Sequence, residues 1–224
     1  EKYQSIEQNK EYFENFWDSL VDLNKSNSIV SLETFAKYFS IFDDRVKLKF
    51  DEEGIDYRLN NLDELRRIAN GGNSVLFTYP PNEESLYINK AIELYSSKAT
   101  FIDISKLLVN FIDQDGIEEF ELLYKDFINT PYELFRAVDD PVTDLFDMII
   151  ENIKDAFNNG KIPILIRTGC LYGTGIENNN IMEHKDIMNN KIPLIVFYPA
   201  SVDGDTIKFL NFKIANKYRC TVIK

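Results

Sequence analysis

The chain has 224 residues, 44% of them hydrophobic, which is enough to bury a sizeable core and too apolar for a disordered tail. Its formal net charge of -12, with a single histidine, argues against nucleic acid as a direct ligand, because that affinity depends on lysines and arginines displacing phosphate counterions. No run approaches the roughly 20 apolar residues needed to cross a bilayer, and the start lacks a signal-peptide pattern, so a cytoplasmic protein without membrane contact is expected.

The chain begins at Glu1 without a methionine, as expected of a processed or partial protein. Phe13, Phe16, Trp17, Leu20 and Val21 follow the i, i+3, i+4, i+7, i+8 spacing of an amphipathic helix, which the polar run from Asn24 to Ser28 ends. A second helix is predicted from Leu32 to Phe42. Val46, Leu48 and Phe50, then Ile55, Tyr57 and Leu59, alternate around Gly54, the period-2 pattern of a hairpin. Asn61 is placed to cap a short helix through Leu65 and Ile68 that Gly71-Gly72 ends. We expect an internal boundary there, with residues 1-71 a helical and hairpin extension and residues 72-224 the main domain.

From this point strands and helices alternate, the signature of a mostly parallel sheet with helices on both faces, a three-layer α/β fold. Val75 to Thr78 reads as a buried strand, Pro80-Pro81-Asn82 as the start of a helix to about Ser97, and Thr100 to Ile104 as a second strand. In a helical section beyond it, Thr130-Pro131-Tyr-Glu133 carries a proline at the first helical position and the spacing of a capping box. Leu145, Ile149, Ile153 and Phe157 repeat at helical intervals up to Asn158-Asn159-Gly160. Ile162 to Ile166 and Leu194 to Phe197 are the third and fourth strands, and Thr206 to Phe212 with Tyr218 to Ile223 reads as a closing hairpin.

Two strands end in Tyr-Pro, at Tyr79-Pro80 and Tyr198-Pro199. Proline has no N–H to give a ladder, so each strand is expected to open into a loop there. Carboxyl ends of strands are where open α/β sheets place their sites. The candidate ligand or partner loops are therefore Tyr79, Pro80 and Pro81; Arg167, Thr168 and Gly169; and Tyr198, Pro199, Asp203 and Gly204. A cation such as Arg167 at the end of a buried strand calls for a carboxylate or a ligand, and a structural ion pair is the expectation.

Catalytic and metal motifs fail on chemistry. The loop after the first strand has two prolines and no Gly-x-x-x-x-Gly-Lys-Ser/Thr, so it lacks the N–H groups that would cradle phosphates. Gly169, Gly173 and Gly175 lack dinucleotide spacing and read as a loop permitting positive φ; a small-ligand sensor is the functional alternative. Asp113-Gln-Asp115-Gly116 lacks two essential calcium ligands, with Phe111 and Leu122 at the positions that should supply them. Cys170, Cys220 and His184 show no zinc spacing, and the two cysteines are read as free thiols. His184 is read as a surface residue rather than a base for Cys170, and acidic clusters such as Glu118 to Glu121 as solvated faces.

Several of these segments together resemble the BrxB family of BREX bacteriophage-exclusion systems: Phe77-Thr-Tyr-Pro80, Phe101-Ile-Asp-Ile-Ser105, Ile164-Leu-Ile-Arg-Thr-Gly169, Leu194-Ile-Val-Phe-Tyr-Pro199 with Asp203-Gly204, Phe209-Leu210 and Asn216-Lys-Tyr-Arg219. Ala200 departs from the glycine usual after the second Tyr-Pro. The resemblance covers roughly residues 72-224. It implies a P-loop-type α/β fold that has lost its nucleotide motif. The role it implies is that of a non-catalytic adaptor, without cofactor, that binds a larger phage-defence protein such as the phosphatase-superfamily protein PglZ. The alternative is a nucleotide- or nucleic-acid-acting hydrolase with an atypical site.

Overall fold

The computed structural model describes residues 46, 49–51, 54–136, 144–204, 206–215 and 219–224. The helices expected at Phe13 to Val21 and Leu32 to Phe42 lie outside these residues. The described chain begins its regular structure with two short helices, α1 (Ile55–Asn60) and α2 (Leu62–Ile68). The hairpin expected across this stretch is therefore corrected: Ile55, Tyr57 and Leu59 lie on a helix. The alternation misleads because Ile55, Leu59 and Leu62, at i, i+4 and i+7, meet the core, while Tyr57 faces out. Asn61 precedes α2 but does not cap it with its side chain; its Nδ2 donates to the Tyr57 carbonyl at 2.9 Å.

The rest alternates as expected. Strand β1 (Ser74–Tyr79) is followed by a 3-10 turn (Pro81–Glu83) and helix α3 (Glu84–Tyr95). Strand β2 (Ala99–Asp103) leads directly into α4 (Ile104–Asp115), then α5 (Ile117–Asp126) and α6 (Pro131–Phe135). Thr130 precedes α6 without capping it through its side chain, so only the proline half of that signal is used. Helix α7 (Leu145–Asn158) starts with the Asp144 carboxylate accepting from the Asp147 N–H at 2.7 Å. Strand β3 (Ile162–Ile166), a 3-10 turn (Thr168–Leu171), α8 (Asn178–Met182) and α9 (Lys185–Met188) precede the long β4 (Leu194–Asp203). β5 (Thr206–Phe209), β6 (Lys213–Ile214) and β7 (Thr221–Ile223) complete the chain.

Among the described residues the sheet has seven strands. Five run parallel in the order β2-β3-β4-β1-β7, and β5 with β6 attach antiparallel to the outer part of β4. β1 and β4 share the longest ladder, from Ser74 opposite Leu194 to Tyr79 opposite Pro199. Two expectations change here. Pro199 does not end its strand, because it sits where β4 changes partners: the ladder to β1 stops at Pro199, and Ala200 to Asp203 pair with β5 instead. The Pro199 carbonyl still accepts from the Leu210 N–H at 2.8 Å. The last strand, β7, does not form a hairpin with β5 but lies parallel to β1 on its far side.

Alternation along the strands sends side chains to two cores. Val75, Phe77, Tyr79, Ile164, Ile166, Ile195 and Phe197 face α3 and the residues before β1, with Val46, Phe50, Ile55 and Leu65 buried among them. Leu76, Leu165, Leu194, Val196 and Tyr198 face α4 to α9, whose buried contributors include Phe111, Phe120, Phe135 and Ile149. The first core is aromatic at its centre: Phe77 stacks on Phe197 at 4.7 Å, meets Tyr87 edge-on at 5.7 Å and lies 5.0 Å from Phe50. Helices on both faces of a mostly parallel sheet give the three layers the sequence predicts.

Candidate functional site at the carboxyl ends of the strands

The carboxyl ends of β1, β2 and β3 deliver Tyr79, Asp103 and Arg167 to one polar cluster. Asp103, the last residue of β2, accepts from the Ser105 N–H at 3.1 Å and from the Ser105 hydroxyl at 2.6 Å, which caps α4. Arg167, in a left-handed conformation (φ 57°) just past β3, donates to the other Asp103 oxygen. This is the ion pair expected of that arginine. The buried Tyr79 hydroxyl reaches over the Pro80-Pro81 turn and donates to Glu84 at 2.8 Å, in the first turn of α3.

Burial pushes the Glu84 carboxyl above the usual carboxylate range, a shift that the Tyr79 hydrogen bond and Arg167 oppose and Asp103 reinforces. Burial also drives the Tyr79 phenol well up, assisted by Glu84. The half-buried Cys170 thiol is raised by burial first, then by Glu84 and Asp103, against the pull of Arg167. A thiol held protonated in this way is a poor nucleophile. Two carboxylates and one guanidinium leave the cluster net acidic when both acids are ionised, the wrong sign for a phosphate. Glu83 and Glu84 stand at the start of α3, where a helix would otherwise offer its N–H groups to an anion. Among the described residues no group of three or more His, Cys, Asp and Glu side chains could hold a metal ion.

The other candidate residues fall in different places. Thr168 is buried and donates its hydroxyl to the Phe197 carbonyl at 2.6 Å, tying the loop after β3 to the middle of β4. A side chain on Gly169 would meet Pro199 and Leu210, so these loops lie against each other. Tyr198 points the other way, stacks on Phe209 at 4.7 Å and lines a cavity of about 330 Å³ beside the β5–β6 hairpin. Asp203 and Gly204 form the exposed turn of the β4–β5 hairpin, and Lys224 donates to the Gly204 carbonyl. Gly173 and Gly175 have positive φ, and a side chain at Gly175 would collide with Tyr132. His184 is no partner of Cys170 in the described contacts: its Nδ1 accepts from the Asp186 N–H at 3.4 Å, and its ring packs on Phe146. Cys170 and Cys220 are both free, with burial pushing Cys220 up to about 12.

Glu84 and Asp103 were not among the candidates, although the sequence carried a faint signal for each. Asp103-x-Ser105 at the end of a strand is a capping pattern, and a glutamate after Pro-Pro belongs in a first helical turn.

Residues 100–223 match the family model described as BREX protein BrxB. The chain belongs to the BrxB family. The matched region spans β2 to β7 and so includes Asp103, Arg167 and the β4–β5 hairpin, whereas β1 with Tyr79 precedes it. Membership connects the protein to BREX phage defence. No curated protein and no solved structure matches the chain. No described helix is long and apolar enough to cross a membrane.

Proposed function

We propose that this BrxB-family protein is a non-catalytic adaptor of a BREX phage-defence complex, which holds a larger protein partner such as a PglZ-like protein in the cytoplasm. The observation that carries this reading is the self-satisfied strand-end cluster. Where a nucleotide-binding α/β protein keeps a glycine-rich loop and a bare helix start, this chain has Pro80-Pro81 and then Glu83 and Glu84, with Tyr79, Asp103 and Arg167 bonded to one another or to Glu84. We read the domain as a P-loop-type fold that has lost its motif. The strand–turn–helix from β1 to α3, with β1 inside the sheet between β4 and β7, supports that reading. In this proposal residues 72–224 form the family domain. Residues 1–71 are an extension whose described part helps to cover one sheet face.

The exposed strand-end residues Arg167, Asp203 and Gly204 are assigned to the partner-facing side. The test pairs gel filtration of the protein with a purified PglZ-like protein from the same gene cluster and calorimetry with ATP and magnesium. The adaptor reading expects co-elution, weakened by Asp203→Lys, and no nucleotide heat. Independent elution together with saturable ATP binding would replace it with the hydrolase alternative.

A further inference from the structure

The groove beside the β5–β6 hairpin lies apart from the strand-end cluster, and its floor and rim differ. Leu171, Ile176, Tyr198 and Phe209 are buried and form a closed floor. The rim is exposed and aromatic. Tyr172 and Ile214 line it, Phe212 meets the Tyr172 ring edge-on at 5.2 Å, and a side chain added to the lining residue Gly175 would run into Tyr132. These four side chains are 52–68% exposed, so three aromatics and an isoleucine leave more than half of their surface in water around one depression. Exposed apolar patches rimmed in this way mark interaction sites, and tyrosine and phenylalanine are enriched where proteins meet.

Charge decides what fits there. From Asp113 to Glu133 the chain has seven acidic residues and one lysine, half of the net charge of -12, and all seven acids are exposed. That stretch delivers Pro131 to the groove and Tyr132 to its rim, and its lysine, Lys125, is bonded to Glu121 at 2.7 Å. Among the described lining residues the one cation is Lys213, bonded to Glu177 at 3.1 Å; Lys208, the hairpin's other cation, is not part of the lining. A second copy of the chain brings the same sign, and so do its own first 45 residues, with nine acids against five cations. We infer that the rim docks a cationic, arginine-bearing segment of a protein partner. The negative field draws such a segment in. Its guanidinium stacks on the exposed rings of Tyr132, Tyr172 and Phe212, which a compact, strongly hydrated ammonium does less well. This presupposes the adaptor reading for the existence of a partner and adds where, and by what chemistry, the partner is held.

The test probes the full chain with an array of short peptides tiling the other proteins encoded in its gene cluster, each hit then being measured by fluorescence anisotropy. Bound peptides are expected to carry arginine and to lose binding when it is replaced by glutamate. They should bind the Tyr172→Ala and Phe212→Ala variants about tenfold more weakly. No saturable binding by any peptide, binding by arginine-free peptides alone, or binding undiminished in both variants overturns the docking surface. The array with the parent chain decides even if a variant does not fold. Gel filtration with the PglZ-like protein keeps the two readings apart. Co-elution unchanged in Tyr172→Ala, with no peptide bound, removes this surface and leaves the adaptor; arginine peptides that bind as expected without that co-elution keep the surface and remove that partner.

Discussion

Arg167 and Asp103 are 64 residues apart in the chain and meet as an ion pair at the ends of neighbouring parallel strands. The pair is asymmetric: the Arg167 side chain is 44% exposed and the Asp103 side chain only 10%. Solvent screens one partner, while the other would be left poorly hydrated on its own. Arg167→Ala is therefore expected to cost about 1–2 kcal/mol, between the values for surface and buried pairs. Arg167→Gly should cost less, because glycine is at ease in the left-handed conformation that position adopts. A double-mutant cycle with Asp103→Asn in urea denaturation checks both; additive effects would show that the pair contributes nothing.

Glu84 gives the strand-end cluster a pH dependence whose sign follows from its burial. Its folded pKa is raised, so between the unfolded and folded values the folded state binds more protons, and stability falls as pH rises through that window. Glu84→Gln retains an acceptor for the Tyr79 hydroxyl and removes the buried charge. Its urea midpoint should exceed that of the parent at about pH 7 and converge with it at about pH 4. A midpoint lower than the parent's at neutral pH would mean that the charge-assisted Tyr79 hydrogen bond and the attraction of Arg167 together outweigh the burial.

Phe77 is the hub of the aromatic core, in ring contact with Phe50, Tyr79, Tyr87 and Phe197. Phe77→Ala is expected to destabilise by about 3–5 kcal/mol, and Phe77→Leu by about 1 kcal/mol. Phe50 belongs to the segment before α1, so the alanine variant should also increase proteolysis around residues 49–51. Chemical denaturation and limited digestion read the two effects separately.

Asn73, buried just before β1, holds the other end of the sheet. Its Nδ2 lies within 3.0 Å of the carbonyls of Ile187, Asn190 and Ile192, and Arg66 donates to its Oδ1 at 3.4 Å. Asn73→Ala takes the donor from the Ile192 carbonyl, while the Asn190 carbonyl keeps Arg66 at 2.8 Å and the Ile187 carbonyl keeps the Asn190 N–H at 3.2 Å, at an expected cost of about 1–3 kcal/mol. Asn73→Asp should be at least as damaging, since it turns an acceptor toward other acceptors. Thermal melts of the two variants check this, and a melting temperature unchanged in both would refute it.

Local signals in the sequence reached the elements that local physics decides. β1 and β3 are continuous apolar runs bounded by turn residues, and α7 carries its period through Leu145, Ile149 and Ile153 up to a glycine, so each was read nearly to its ends. The misreadings at Pro199 and at the last strand have a common cause in pairing. Nothing near Pro199 announces that β4 trades one neighbour for another there, and nothing near Thr221 announces that its partner is Val75. The six residues from Ile55 to Asn60 are too few to separate a period of 2 from one of 3.6, and burial against the sheet decided for helix. At the site the same limit holds. Arg167 was conspicuous as a charge at a strand end, but its partner and the reach of Tyr79 to Glu84 depend on which strands become neighbours.

The ten residues of β4 belong first to one ladder and then to another, without an intervening hinge. The hairpin is in effect a handle fixed to the spine of the domain. A load applied at β6 passes to β5 and along one unbroken strand to Val196, which is held between β3 and β1. Whatever grips the hairpin takes hold of the whole sheet by its middle.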